Sequence, residues 1–262
     1  MRRLKTLLKK TLRSRLFLPV LERYVTSQIS RINALADPQL GILVLDVERF
    51  YPGDLDRLGE RAQLYRLPSD CRNRLYSLFF TTEEVSTFRQ YILTDHLRRK
   101  EREFLDFLRL LLPRLASRLA FDCVITCNYM YVQNRLIAKA CKDTRIPFID
   151  LNRENKQDPI TNERFKQKYK TLRLHIGFFG NAICVYNENM KKFLCDLCVC
   201  SPDDIHVVGA LRTDTLLSKV PESRGHKENR QVTLFSFRHV PIGGATVGYR
   251  DGFQTRRHHY VV

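Results

Sequence analysis

Short runs of consecutive apolar residues alternate along this chain with longer stretches that are apolar at every third or fourth position. Residues 42–46 (Ile-Leu-Val-Leu-Asp), 62–67, 121–126, 147–151, 182–186 and 205–208 read as buried strands, the second stopped by Pro68. The intervening segments 70–80, 132–142, 162–174 and 188–197 carry helical spacing. A longer helical region starts at Thr82, breaks near Thr94 and runs to about Ala120. Thr82-x-x-Val is not a capping box, although Glu83 and Glu84 suit a first helical turn. Strand and helix alternating at this spacing mean βαβ units, so residues 41–218 are expected to form a Rossmann-like, doubly wound parallel sheet.

The two ends follow different patterns. Residues 1–16 read as a basic amphipathic helix, with Leu4, Leu8, Leu12 and Leu16 on one stripe and Leu7 beside it. Arg2, Arg3, Lys5, Lys9, Lys10, Arg13 and Arg15 fill the rest, and Pro19 is expected to end the helix. Two uses fit residues 2–16: docking on an anionic membrane surface, or packing of the leucines on the domain. Residues 1–40 thus form an N-terminal helical segment, and 219–231 are apolar-poor and read as a linker. Residues 232–237 (Val-Thr-Leu-Phe-Ser-Phe) read as one more buried strand, followed by a Gly-rich loop. A lone strand cannot bury both faces, so 232–262 are expected to be the truncated start of a second, C-terminal α/β domain.

Charge adds a partner class. The net charge is +17, but residues 41–218 hold 28 Lys/Arg against 23 acids, while 1–40 hold nine against two and 219–262 eight against three. The excess at the ends suits an anionic surface and a phosphate-rich ligand. Nucleic acid is not expected, because no recognition motif or aromatic platform accompanies the charge. No run of 18 apolar residues is present. Eight scattered cysteines fit free thiols in a reducing cytoplasm. Cys195-x-x-Cys198-x-Cys200 near His206 lacks the second pair of ligands that structural zinc needs, so no metal is expected.

In open α/β sheets ligands bind beyond the carboxyl ends of the strands. That rim is expected to carry Asp46 and Glu48, then Asn128, then Asn152, Arg153 and Glu154, then Asn187 and Glu188, and finally Gly209, Arg212 and Asp214. Asn187 and Glu188 also fit a simple helix start. Glu154 stands before no helix and is the candidate general base for an acceptor hydroxyl. After 232–237, Arg238, His239, Gly243 and Gly244 could approach a phosphate, although the spacing is neither G-x-G-x-x-G nor a P-loop.

The stretch Val185-Tyr-Asn-Glu188, then Val207-Val-Gly209 and Arg212-Thr-Asp214, resembles the end of the N-terminal domain in two-domain (GT-B) glycosyltransferases of bacterial surface and capsular carbohydrate biosynthesis. Asp150-Leu-Asn-Arg-Glu154-Asn and Phe235-Ser-Phe-Arg238-His239 with Gly243-Gly244 look like further segments of that family. The resemblance covers 41–253 loosely and 121–240 best. It implies a nucleotide-sugar donor as substrate, no permanently bound cofactor, and a glycan acceptor held by the N-terminal domain. It further implies that Glu154 faces the cleft, with Asp46, Glu48, Asn128, Asn187, Glu188, Arg212 and Asp214 on the acceptor side. Arg238, His239, Gly243 and Gly244 would face the donor phosphates. The expected function is sugar transfer, inactive in this chain alone, in the cytoplasm or peripheral on the inner membrane face. The alternative is a non-catalytic membrane-surface adaptor in polysaccharide assembly.

Overall fold

A computed structural model describes residues 17–50, 53–84, 94–152, 167 and 177–213. All of these lie in the first of two compact units, Met1–Pro221; the second is Glu222–Val262. The expected helices at 1–16 and 162–174 and the strand at 232–237 fall largely or wholly outside the described residues.

The fold is α/β, with a seven-stranded, mostly parallel sheet compatible with a Rossmann-like fold. Its strands are β1 (Ser30–Arg31), β2 (Leu40–Leu45), β3 (Ala62–Leu67), β4 (Cys123–Thr126), β5 (Phe148–Leu151), β6 (Ala182–Val185) and β7 (Ile205–Val207). They lie in the order β1-β3-β2-β4-β5-β6-β7, and only the β1–β3 pair is antiparallel. The order reverses between β2 and β4: from β2 the chain first steps outward to β3, then returns past β2 to β4. That reversal makes the β2/β4 boundary the topological switch point.

Paired residues in a parallel sheet share a face, so the register sorts the core. Leu43, Leu45, Val124, Phe148, Ile183 and Ile205 lie on one face. That face is covered by α1 (Leu18–Gln28), α3 (Ser69–Phe79), α4 (Asp95–Leu119), α5 (Val132–Thr144) and α6 (Glu188–Asp196). Tyr76, Phe79, Phe80, Phe104 and Phe107 form an aromatic cluster there. Ile42, Val44, Leu64 and Ile125 lie on the opposite face and meet Leu55 and Leu58 of α2 (Asp54–Gly59). Helices on both faces make the sheet doubly wound. Right-handed crossovers require this division, because only the β2→β3 step runs in the opposite direction across the sheet.

Several local details come into view. Pro19 stands in the first turn of α1, where its missing N–H costs nothing; the helix it was expected to end lies outside the described residues. The helix start after α3 is a capping box after all, one residue earlier than expected. Thr81 Oγ1 accepts from the Glu84 N–H at 3.3 Å, and Glu84 Oε2 accepts from the Thr81 N–H at 2.8 Å. Finally, β2 is followed in quick succession by a 3-10 turn at Val47–Arg49 and by α2. The break near Thr94 is an N-cap, its hydroxyl accepting from the Leu97 N–H.

Gly41 fixes how α4 enters the sheet. A Cβ there would stand 2.1 Å from the Ala120 carbonyl oxygen. The Gly41 N–H donates to Asp122 Oδ2 and its carbonyl accepts from the Asp122 N–H, which seats the α4–β4 corner against the start of β2.

Candidate functional site

Two features stand beyond the carboxyl ends of the strands. The first is a buried network at the switch point. Asp46 follows β2 in the left-handed region, with φ of 56°. Its carboxylate accepts two hydrogen bonds from the Arg72 guanidinium, one at 2.8 Å, and a third from the Asn134 amide at 2.8 Å. Asn134 Nδ2 also donates to Thr126 Oγ1 and to the Asn128 carbonyl. Asp46 and Arg72 are both buried, and Asn134 and Thr126 wholly so. Burial alone would raise the Asp46 carboxyl; the Arg72 guanidinium, the Asn134 amide and the charge of Arg49 outweigh it and hold it below its ordinary value. Both carboxylate oxygens of Asp46 are therefore engaged within the protein. This network fastens β2, α3, β4 and α5 to one another through the buried Asp46 carboxylate.

The second feature is an open cleft at the ends of β5, β6 and β7. It is lined by Asp54, Leu151, Asn152, Cys184, Tyr186, Val208, Gly209 and Leu211. At about 20 Å³ it takes a water or one hydroxyl of a larger ligand. Leu151 and Cys184 come from the face opposite α5 and α6, which places the cleft on the α2 side of the sheet. Asp54 is the first residue of α2, where a carboxylate suits the helix dipole. Arg212 forms the wall behind it. Asp54 Oδ1 accepts from both the Arg212 N–H and its guanidinium, each at 3.3 Å. The same guanidinium donates to the Tyr186 hydroxyl at 2.7 Å and lies 5.1 Å from the centre of that ring. Burial works against the Arg212 charge, but Tyr186 and Asp54 more than compensate and raise its pKa.

Two glycines permit this approach. Gly53 has φ of 88°, and a Cβ on it would come within 3.2 Å of the Arg212 Cβ. Gly209, at φ of 74°, turns the chain out of β7 toward Leu211.

Of the expected rim residues, Arg212 stands behind the cleft, bonded to Asp54 and Tyr186 of its lining. Asn152 and Gly209 line it. Glu48 is exposed and accepts from the Ser69 hydroxyl. Asn128 Oδ1 accepts from the Met130 N–H and shapes a turn, and Asn187 Oδ1 caps α6 through the Met190 N–H. Glu188 occupies the first turn of α6 and is exposed. Glu154, Asp214, Arg238, His239, Gly243 and Gly244 lie outside the described residues. Asp54, Tyr186, Arg72 and Asn134 were not anticipated. The Gly53-Asp54 pair, a left-handed turn into an acidic helix start, was the available signal for Asp54.

Among the described residues, no three His, Cys, Asp or Glu side chains gather to hold a metal, and all eight cysteines are free thiols. No helix among those residues is long and apolar enough to cross a membrane.

Fold and site together define an α/β protein with a doubly wound sheet and, at its carboxyl rim, a small cleft with apolar walls and a few polar side chains. The chain matches no known family model, and no curated protein sequence matches it.

Proposed function

We propose that this chain is the acceptor-side part of a nucleotide-sugar-dependent glycosyltransferase of the GT-B type, acting in surface polysaccharide biosynthesis. The single observation that supports this most is the cleft at the ends of β5–β7, where Asp54, Asn152 and Tyr186, with Arg212 behind them, converge from four separate chain segments. Hydroxyl acceptors, an amide, an aromatic ring and a guanidinium are the groups that bind glycans. The motifs around Asn187, Gly209 and Arg212 that resemble the family lie beside this cleft.

In this reading the acceptor glycan docks at the cleft. Glu154 serves as general base, and Arg238, His239, Gly243 and Gly244 approach the donor diphosphate. The donor is a substrate and no resident cofactor is required. Residues 2–16 bring the protein to the anionic inner membrane face, where lipid-linked acceptors reside.

The test is retention on an array of immobilised oligosaccharides. The expected result is binding to a restricted set of glycans, lost in Arg212→Ala. Absence of binding, or binding indifferent to Arg212, sinks the reading.

A further inference from the structure

The geometry of the cleft points to its chemical selectivity: we propose that it receives the hydroxyl of a neutral sugar, and that Asp54 makes it refuse anions. This inference rests on the reading of the cleft as a glycan site.

The place where the chain leaves β7 has the makings of a phosphate site. Gly209 turns the backbone at positive φ, the next residues begin a helical turn, and Arg212 supplies a cation. A phosphate in such a setting would take the Arg212 backbone N–H together with its guanidinium. Both are already engaged by Asp54, whose Oδ1 accepts from each at 3.3 Å. The protein has installed its own anion where a ligand's would sit.

Asp54 cannot readily swing aside. Its side chain is 9% exposed, against 31% for Arg212, and it belongs to the first turn of α2. A second anion entering the cleft would meet this carboxylate at close range, with the nearest cation already shared.

A hydroxyl group meets the opposite situation. Asp54 Oδ2 accepts from none of the described residues, so it is open to an O–H donor. Asn152 lines the same small cleft, and Leu151, Val208 and Leu211 give it apolar walls suited to the C–H faces of a sugar. The room available matches one hydroxyl, with the sugar ring lying outside across the rim.

The experiment follows the amide resonances of Gly209 and Leu211 in the ¹⁵N-labelled full chain. It is titrated separately with inorganic phosphate and with methyl glycosides of glucose, galactose, mannose and N-acetylglucosamine. The inference expects at least one glycoside to shift these resonances and phosphate to leave them unmoved at equal concentration. In Asp54→Asn, which keeps the shape and removes the charge, glycoside binding is expected to weaken about tenfold. The same variant should acquire a response to phosphate. Phosphate acting on the wild-type chain while the glycosides do not would overturn the inference and leave the sugar-transfer reading standing. Silence toward every glycoside and toward phosphate would overturn both. The wild-type comparison decides the matter even if Asp54→Asn does not fold.

Discussion

Arg72 lays its guanidinium across the carboxylate of Asp46, two buried charges 26 residues apart that meet at the switch point of the sheet. Such a pair contributes little compared with well-packed apolar residues, yet breaking it strands one charge in the interior. Arg72→Ala or Asp46→Ala is therefore expected to cost about 3–5 kcal/mol, measured by urea unfolding. The double variant should cost much less than the two singles combined. Additive losses would show that the two side chains act independently.

Glu84 gives the fold a defined acid sensitivity. It closes the capping box at Thr81 and also accepts from Lys100 Nζ at 2.6 and 2.7 Å, with His96 Nε2 at 2.8 Å. Burial opposes the charge, but Lys100, the Thr81 N–H and His96 hold the carboxyl down to about 2. A depressed carboxyl stabilises the fold fully above the ordinary value of 4.5, and that contribution disappears as pH falls toward 2. Between those limits about 2 kcal/mol is expected to be lost. Glu84→Gln should remove that part of the acid profile; an unchanged profile in the variant would refute the assignment.

Gly41→Ala is expected to be among the most damaging single-methyl additions. The new carbon would overlap the Ala120 carbonyl, and Asp122 holds both sides of the contact in place. A loss of about 3 kcal/mol or more is expected, read as a fall in thermal midpoint. A fall of only a degree or two would mean that the α4–β4 corner relaxes freely.

The thiols should sort sharply by reactivity. Cys198 is the exposed one, whereas Cys71, Cys123, Cys127 and Cys141 are buried. Burial pushes Cys123 up to about 11 and Cys200 up to about 12, leaving almost no thiolate at neutral pH. An aromatic disulfide reagent should therefore show one fast equivalent, absent in Cys198→Ser. Several fast equivalents in the native chain would contradict the burial pattern.

Gly53→Ala should affect the cleft selectively. Both its positive φ and the nearby Arg212 Cβ oppose a side chain there. The expected outcome is a stable sheet with weakened glycan retention on the array. Retention equal to wild type would show that Arg212 tolerates the displacement.

The sheet was largely legible because consecutive β-branched and leucine residues can be buried on both faces only in a parallel arrangement. The run at 121–126 contains β4, and the run at 182–186 contains β6. The reversal of strand order was not legible, because adjacency depends on crossover direction and not on any one segment. The capping box was written plainly as Thr81-x-x-Glu84 and was missed by one residue of register. The site was harder. Asp46 looked like a rim acid, yet its partners Arg72 and Asn134 lie 26 and 88 residues away. Asp54 gave no sign of its meeting with Arg212, since a contact across 158 residues leaves no local pattern.

That last separation has a kinetic meaning. The Asp54–Arg212 contact joins the helix after β2 to the chain leaving the edge strand β7, with β4, β5 and β6 lying between those two strands in the sheet. Contacts of such long span form late, because the loop they close is large. A chain caught partway through folding would have much of its hydrophobic core and no cleft. Under the proposed reading, ligand capture at Asp54 would report a late step of assembly, and a nascent chain still lacking β7 would not yet hold sugar.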